Sequence, residues 1–347
     1  MAVIDADAHV HECEHTWDFM NGVDPSWRPQ IVRKEGEDGS TREFWSFNGN
    51  LRPKGGNVGK VTPAPARELT DIGLRLRQMD QLGVDVQVLY PSLLTAVSDD
   101  PAVEGALWKS YNRWLAEAWT QGQGRLRWVA RVPLDDVYAA TAELRFAKDH
   151  GACGVFMRSV EGSRLLPDPY FFPIYEEASA LDMPICVHAS LGNSALVDLL
   201  SQDRDNGNFL KFKLSVIGAF HSLLVSGIPD AFPKLRFGFV EVSSDWVPYV
   251  VRELQKRFLW KGWNLPSESI MARNRMFVAS QVDDDIPHVL RYAGEGNLVI
   301  GTDYGHADTS TELVAHRKLA QRGDVDPRVV ERMLDDNPRA LYGISEA

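Results

Sequence analysis

The chain has 347 residues, 44% hydrophobic and 24% charged, enough to bury one large α/β core or two smaller ones. Its net charge of -11 argues against nucleic acid or an anionic membrane surface as partner, and no apolar run approaches the roughly 18 residues of a membrane span. Cys13, Cys153 and Cys186 are too few and too scattered for a disulfide framework or a cysteine zinc cluster, and the acidic start lacks a signal-peptide pattern, so a cytoplasmic protein is expected.

The first element, residues 4–12, reads as a strand yet carries Asp5, Asp7, His9, His11 and Glu12. Side chains alternate along a strand, which predicts Asp5, Asp7, His9 and His11 on one face. Such a face makes a poor core and a good metal site, because imidazole and carboxylate are ligands of zinc, manganese and iron. Residues 13–66 follow with turn residues throughout and one aromatic segment, Phe44 to Phe47, before Asn48-Gly49, which suggests a small hairpin. An insertion directly after a ligand-bearing strand is well placed to cover a site.

From Arg67 the pattern is regular. Apolar positions at helical spacing (Leu69, Ile72, Leu76, Met79) predict a helix over 67–82 closed by Gly83, followed by a strand over 84–90. Further helix–strand pairs are predicted at 102–121 with 127–132, 137–150 with 154–158, 170–181 with 184–188, 208–226 with 235–241, 245–258 with 275–280, and 284–293 with 297–301. Helices near 310–322 and 326–334 close the chain.

With the opening strand this makes eight strands, the number that closes a parallel (β/α)8 TIM-type barrel, here one domain over 1–347 with the insertion on its C-terminal face. An open doubly wound sheet is the structural alternative, but no Gly-rich phosphate turn supports it. A barrel carries its chemistry at the C-terminal ends of its strands, where the sequence places Asp7 and His9, Arg158, His188, Glu241 and Asp303. Arg158 is a candidate to pair with a substrate carboxylate or phosphate through two parallel hydrogen bonds.

These motifs resemble the amidohydrolase-related proteins typified by aminocarboxymuconate semialdehyde decarboxylase and the resorcylate-type decarboxylases, a branch of the metal-dependent hydrolase superfamily of barrels. The resemblance runs through Ile4-Asp5-Ala6-Asp7-Ala8-His9, the Met79–Asp85 and Tyr111–Leu115 stretches, His188, Phe232-Pro233-Lys234-Leu235-Arg236, Gly301-Thr302-Asp303-Tyr304-Gly305-His306 and Asp336-Asn337-Pro338-Arg339, and it spares residues 13–66. It implies that Asp7 and His9 bind a divalent metal with His188 and Asp303, and it makes His306 a candidate either to support the ligands from beside the site or to carry a proton. Two positions depart from the family pattern: Asp7 stands in place of a histidine, and Glu241 in place of a histidine that works on water. Both replace nitrogen by oxygen and shift the preference from zinc toward manganese or iron.

Asp7, Glu241 and Asp303 supply three negative charges, and the nearby Glu12 can raise that to four, so one ion leaves the site net negative and two balance it, with Glu241 as the candidate bridge. The metal ligands expected are therefore Asp7, His9, His188, Glu241 and Asp303, around one or two Fe, Mn or Zn ions, with Asp303, Glu241 and His306 catalytic. The function expected is a metal-dependent hydrolase or non-oxidative decarboxylase acting on a small to medium carboxylate-bearing molecule, for which the ten tryptophans suit an apolar or aromatic body. A di-iron oxygenase on the same barrel is the alternative, and a non-catalytic metal-stabilised binding protein a second one. A homo-oligomer is compatible with the sequence.

Overall fold

A computed structural model gives the structure of all residues except 37–38, 40, 56, 94–97, 99, 135, 204–207, 265–268 and 346–347. Strand β1 (Ile4–His9) is followed by an antiparallel sheet of β2 (Gln30–Glu35), β3 (Thr41–Phe47) and β4 (Asn50–Pro53). The barrel resumes with β5 (Val86–Tyr90), β6 (Leu126–Ala130) and β7 (Ala152–Met157). A small hairpin, β8 (Val160–Glu161) and β9 (Arg164–Leu165), precedes β10 (Ile185–His188), β11 (Phe237–Val240), β12 (Met276–Ser280) and β13 (Leu298–Ile300).

The eight long-range partners pair in parallel in the order β1-β5-β6-β7-β10-β11-β12-β13. Residues just past β13 close the ring onto β1: Thr302 N and Asp303 N donate to Asp7 O at 3.2 and 2.9 Å, and His9 N donates to Tyr304 O at 2.8 Å. Alternation along each strand builds two apolar layers. Ile4, Ala6, Val88, Val129, Cys186 and Phe277 pack inside the barrel, while Ala8, Leu89, Trp128, Val155 and Val187 face the surrounding helices. Among the described residues no helix is long and apolar enough to cross a membrane.

The predicted elements appear with informative shifts. The helix expected over 67–82 is split into Ala64–Arg67 and Ile72–Leu82, because Leu69 takes a left-handed φ of 51° and Asp71 caps the second piece through Leu74 N at 2.7 Å. Gly83, φ 80°, ends it as expected. The segment over 208–226 opens with a π-helical turn, Phe209–Leu214, before the α-helix Ser215–Val225. The sequence reading did not assign the helices Ser194–Leu200 and Asn337–Tyr342. The hairpin at Asn48-Gly49 is present, both residues with positive φ as a tight hairpin turn requires, and β2 adds a third strand. Its inner face buries Trp45 and Phe47 with Trp17, Val103, Leu107 and Trp108, which fixes the sheet to the helix Pro101–Gln121.

Candidate metal centre

The strand β1 does not alternate evenly. Its register against β5 slips between Asp5 and Ala8, so Ile4 and Ala6 face the interior while Ala8 faces the helices. The bulge re-aims the side chains that follow it. Asp7 and His9 enter the mouth, but Asp5, expected on the same face, turns behind the strand. There it accepts from Thr302 N at 2.8 Å, Thr302 Oγ1 at 2.6 Å and Gln87 Nε2 at 2.9 Å. Arg75 extends this support by donating to Gln87 Oε1 at 2.7 Å and His9 O at 3.1 Å. Asp5 thus braces both ends of the barrel seam. Burial raises its pKa to about 6.

His188 ends β10, Glu241 follows β11 and Asp303 follows β13; His188 and Glu241 gather with Asp7 and His9, and Asp303 meets the same cluster at His9. His9 Nε2 lies 3.5 Å from Asp7 Oδ1, 3.7 Å from Glu241 Oε2 and 3.5 Å from Asp303 Oδ1. His188 Nε2 lies 3.5 Å from Asp7 Oδ1 and 3.2 Å from Glu241 Oε2. Ligands about 2.1 Å from a common ion are separated by roughly 3.0 to 3.4 Å along polyhedral edges, close to these spacings. Asp7 Oδ1, His9 Nε2, His188 Nε2 and Glu241 Oε2 are buried and make no hydrogen bond, whereas buried polar atoms ordinarily have a partner. The donor set therefore fits a divalent cation. His9 is oriented by its other nitrogen, 2.9 Å from Pro91 O.

The backbone is committed to this convergence. Glu241 and Asp303 take left-handed φ of 63° and 51°, a region that non-glycine residues seldom adopt and that concentrates at functional sites. Ser243, also left-handed at 60°, is fastened by Asp284, whose carboxylate accepts from Ser243 Oγ at 2.6 Å and from Ser244 N and Oγ at 2.7 Å. At position 301 only glycine fits, since a Cβ there would lie 2.3 Å from the Asp7 Cβ. The floor is aromatic: the Tyr90 and Phe156 rings lie 5.0 and 5.7 Å from that of His188.

Three buried acids in one place perturb each other. Burial, with Asp303 and Asp7 nearby, pushes Glu241 well above the ordinary carboxyl range. Burial would also raise Asp7, but the His188 and His9 imidazoles outweigh it and hold Asp7 low. Burial lowers His9 to about 4, the neutral form a metal ligand needs. His306 Nδ1 is 2.8 Å from Asp303 Oδ1, its Nε2 is 3.0 Å from Ser92 Oγ, and its ring lies 3.9 Å from that of His9. Burial lowers the His306 pKa, yet Asp303 more than compensates and raises it.

Arg158 stands apart from the centre: Nε donates to Glu161 Oε2 at 2.7 Å and Nη1 to Glu104 Oε1 at 2.8 Å. His11 bonds Gly305 O through Nε2 at 2.9 Å and, with Glu12 and His306, lines a cavity of about 340 Å³ whose other wall, including Trp45, Lys54 and Arg67, comes from the insertion and its exit. The insertion also meets the mouth where Gly59 N donates to Gly305 O at 2.7 Å. His221 is half-buried on the helix Ser215–Val225, beside Arg257 and Glu253. The sequence reading missed Asp284 and Arg131. Arg131 directly follows β6, so the strand-end rule itself was the available signal.

Eight parallel strands with a buried carboxylate–imidazole centre at their C-terminal ends define a metal-type (β/α)8 barrel. The chain belongs to the amidohydrolase family, whose pattern it matches over residues 4–344. Among solved structures, it is similar to an amidohydrolase from Mycobacterium avium subsp. paratuberculosis K-10 at 18% identity and a TM-score of 0.78, covering 99% of this chain and 98% of that one. It is similar to 5-carboxyvanillate decarboxylase from Sphingomonas paucimobilis at 15% identity and a TM-score of 0.68, with 99% of both chains covered. A dihydroxybenzoic acid decarboxylase from Polaromonas sp. JS666, with bound manganese and the inhibitor 2-nitroresorcinol, gives 16% identity and a TM-score of 0.66 over 100% of this chain and 98% of that one.

Proposed function

We propose that this protein is a metal-dependent hydrolase or non-oxidative decarboxylase, holding manganese, iron or zinc through Asp7, His9, His188, Glu241 and Asp303, and acting on a carboxylate-bearing small molecule of aromatic size. The observation that carries this reading is the set of buried, unpartnered donor atoms beside a hydrogen-bonded Asp303–His306 pair. A divalent ion in that set would supply Lewis acidity to a substrate oxygen and acidify bound water. Asp303, at the edge of the donor set, is placed to take a proton from water in hydrolysis and pass it to His306. In decarboxylation the carbon–carboxylate bond breaks, carbon dioxide leaves, and the same pair delivers the proton that the carbon accepts. Tyr90 and Phe156 exclude water beneath the centre and offer flat walls to a flat substrate.

A second reading, two ions, is supported by the overlap of two potential ligand groups: Asp7, His9, His188 and Glu241 on one side, and His9, Glu241, Asp303 and His306 on the other. The di-iron oxygenase belongs to this reading. Elemental analysis of protein purified without added metal separates the two, with about one ion per chain expected for the first. Carbon dioxide release from a hydroxybenzoate panel, against hydrolysis of an aryl ester and lactone panel, then distinguishes decarboxylase from hydrolase. A protein that takes up no divalent ion overturns the proposal.

A further inference from the structure

Arg131 is the cation that the sequence reading passed over. It directly follows β6 on the same alternation as the interior residue Val129, and only 3% of its surface is exposed. Its guanidinium lies 3.4 Å from the Trp108 ring centroid and 4.5 Å from that of Phe156, whose ring in turn lies 5.7 Å from that of His188. One aromatic ring therefore separates it from the metal centre. Its backbone is pinned by Asn112, which accepts from Arg131 N at 3.1 Å and donates to Arg131 O at 2.6 Å.

Nη1 of Arg131 donates to Leu93 O at 2.6 Å. Among the described residues, Nε and Nη2 have no hydrogen-bond acceptor and no carboxylate forms an ion pair with the guanidinium. Buried charges are normally paired, and the nearby Glu104 and Glu161 are already held by Arg158. The free edge, two parallel N–H groups in a rigid plane, is the fork that matches a carboxylate.

We infer that Arg131 anchors a carboxylate of the substrate, and that this carboxylate is distinct from the group transformed at the metal centre. The inference deepens the proposed function and rests on it for the location of the reacting end. The substrate class is then a flat molecule with a non-reacting carboxylate placed beside Phe156 and a second, oxygen-bearing function that reaches His9 and His188. Arg158, the arginine expected from sequence to fill this role, is instead occupied by Glu104 and Glu161.

The test is calorimetric binding of benzoate, with benzyl alcohol as the uncharged probe, to the manganese-loaded and the chelator-treated protein. In the chelator-treated protein Arg131→Met is expected to weaken benzoate roughly 10- to 100-fold while changing benzyl alcohol by no more than about 2-fold. Arg131→Lys, which keeps the charge and loses the fork, is expected to recover part of the benzoate affinity; it decides the matter should the methionine variant fail to fold. Unchanged benzoate binding in both variants, an equal loss of both probes, or no benzoate binding by the chelator-treated parent would each overturn the inference. Because this comparison needs no metal, failure of the metal-centre reading leaves an Arg131-dependent signal visible.

Discussion

Two buried charge clusters occupy the C-terminal face of this barrel, and they are built on opposite principles. In the first, Arg158 lies between Glu104 and Glu161, its Nε and both Nη atoms are engaged, and Gly192 packs so closely that a Cβ would sit 2.4 Å from Arg158 Nε. In the second, Asp7, Glu241 and Asp303 crowd two imidazoles, and four buried donor atoms point at one another without hydrogen bonds. The first is matched internally and holds loops together. The second has the donor set that a divalent cation would satisfy, and the fold maintains it through left-handed backbone at Glu241 and Asp303.

The sharpest way to break the comparison is Asp303→Asn. An amide keeps the size and an oxygen donor but cannot accept the proton, so turnover should fall roughly 10²- to 10⁴-fold with most metal retained, measured as turnover and metal content on one sample. Near-parent turnover would move the proton role to Glu241 or His306. Next in size is Arg158→Met, which strands the buried Glu161 and the partly buried Glu104 and should destabilise the fold by about 3 to 5 kcal/mol in denaturant unfolding while leaving metal content per folded chain intact. Loss of metal in that variant would show that the clusters are not separate.

Glu241→Gln should lower metal affinity by a factor of roughly 10 in a chelator-competition titration, since one charged ligand of the set becomes neutral; stoichiometry falling from two ions to one would instead assign it as a bridge. The mildest test concerns Glu12, which burial raises to about 7 from an ordinary 4.5. The folded state then holds a proton that the unfolded chain releases at lower pH, so this residue's contribution to stability falls as pH rises from about 4.5 to 7. Glu12→Gln should be near neutral at pH 4.5 and stabilising at pH 8, by at most about 3 kcal/mol. A pH-independent difference would remove Glu12 from that account.

The barrel was legible because helical and strand periodicities switch along the chain with glycine stops such as Gly83, and because several strands, those ending at His9, Arg158, His188 and Glu241 among them, carry a charged or imidazole side chain after an apolar run. What escaped follows from interactions that have no local signature. Even alternation grouped Asp5 with Asp7, and only pairing against β5 and β13 reveals the bulge that parts them. Likewise Arg158 and Arg131 look equivalent as strand-end arginines, and what separates them is Glu104, distant in sequence, and Glu161, on a hairpin too short to show a pattern. Asp284 reads as one acid among several in Asp283-Asp284-Asp285 until its four accepted hydrogen bonds, three of them from Ser243 and Ser244, are seen.

The last helix, Asn337–Tyr342, reaches under the barrel: Arg236 binds Leu341 O, Tyr342 donates to Ala6 O at 2.7 Å, and its hydroxyl lies 2.8 Å from that of Tyr90. Tyr90 is also the ring beneath His188. Ala6 on β1 and Tyr90 on β5 lie 336 and 252 residues ahead of this tyrosine, so the floor of the candidate metal centre is finished only by a contact of very long range. Until that segment docks, the Ala6 carbonyl and the Tyr90 phenol lack this partner, which makes the floor beneath His188 a late-forming part of the fold.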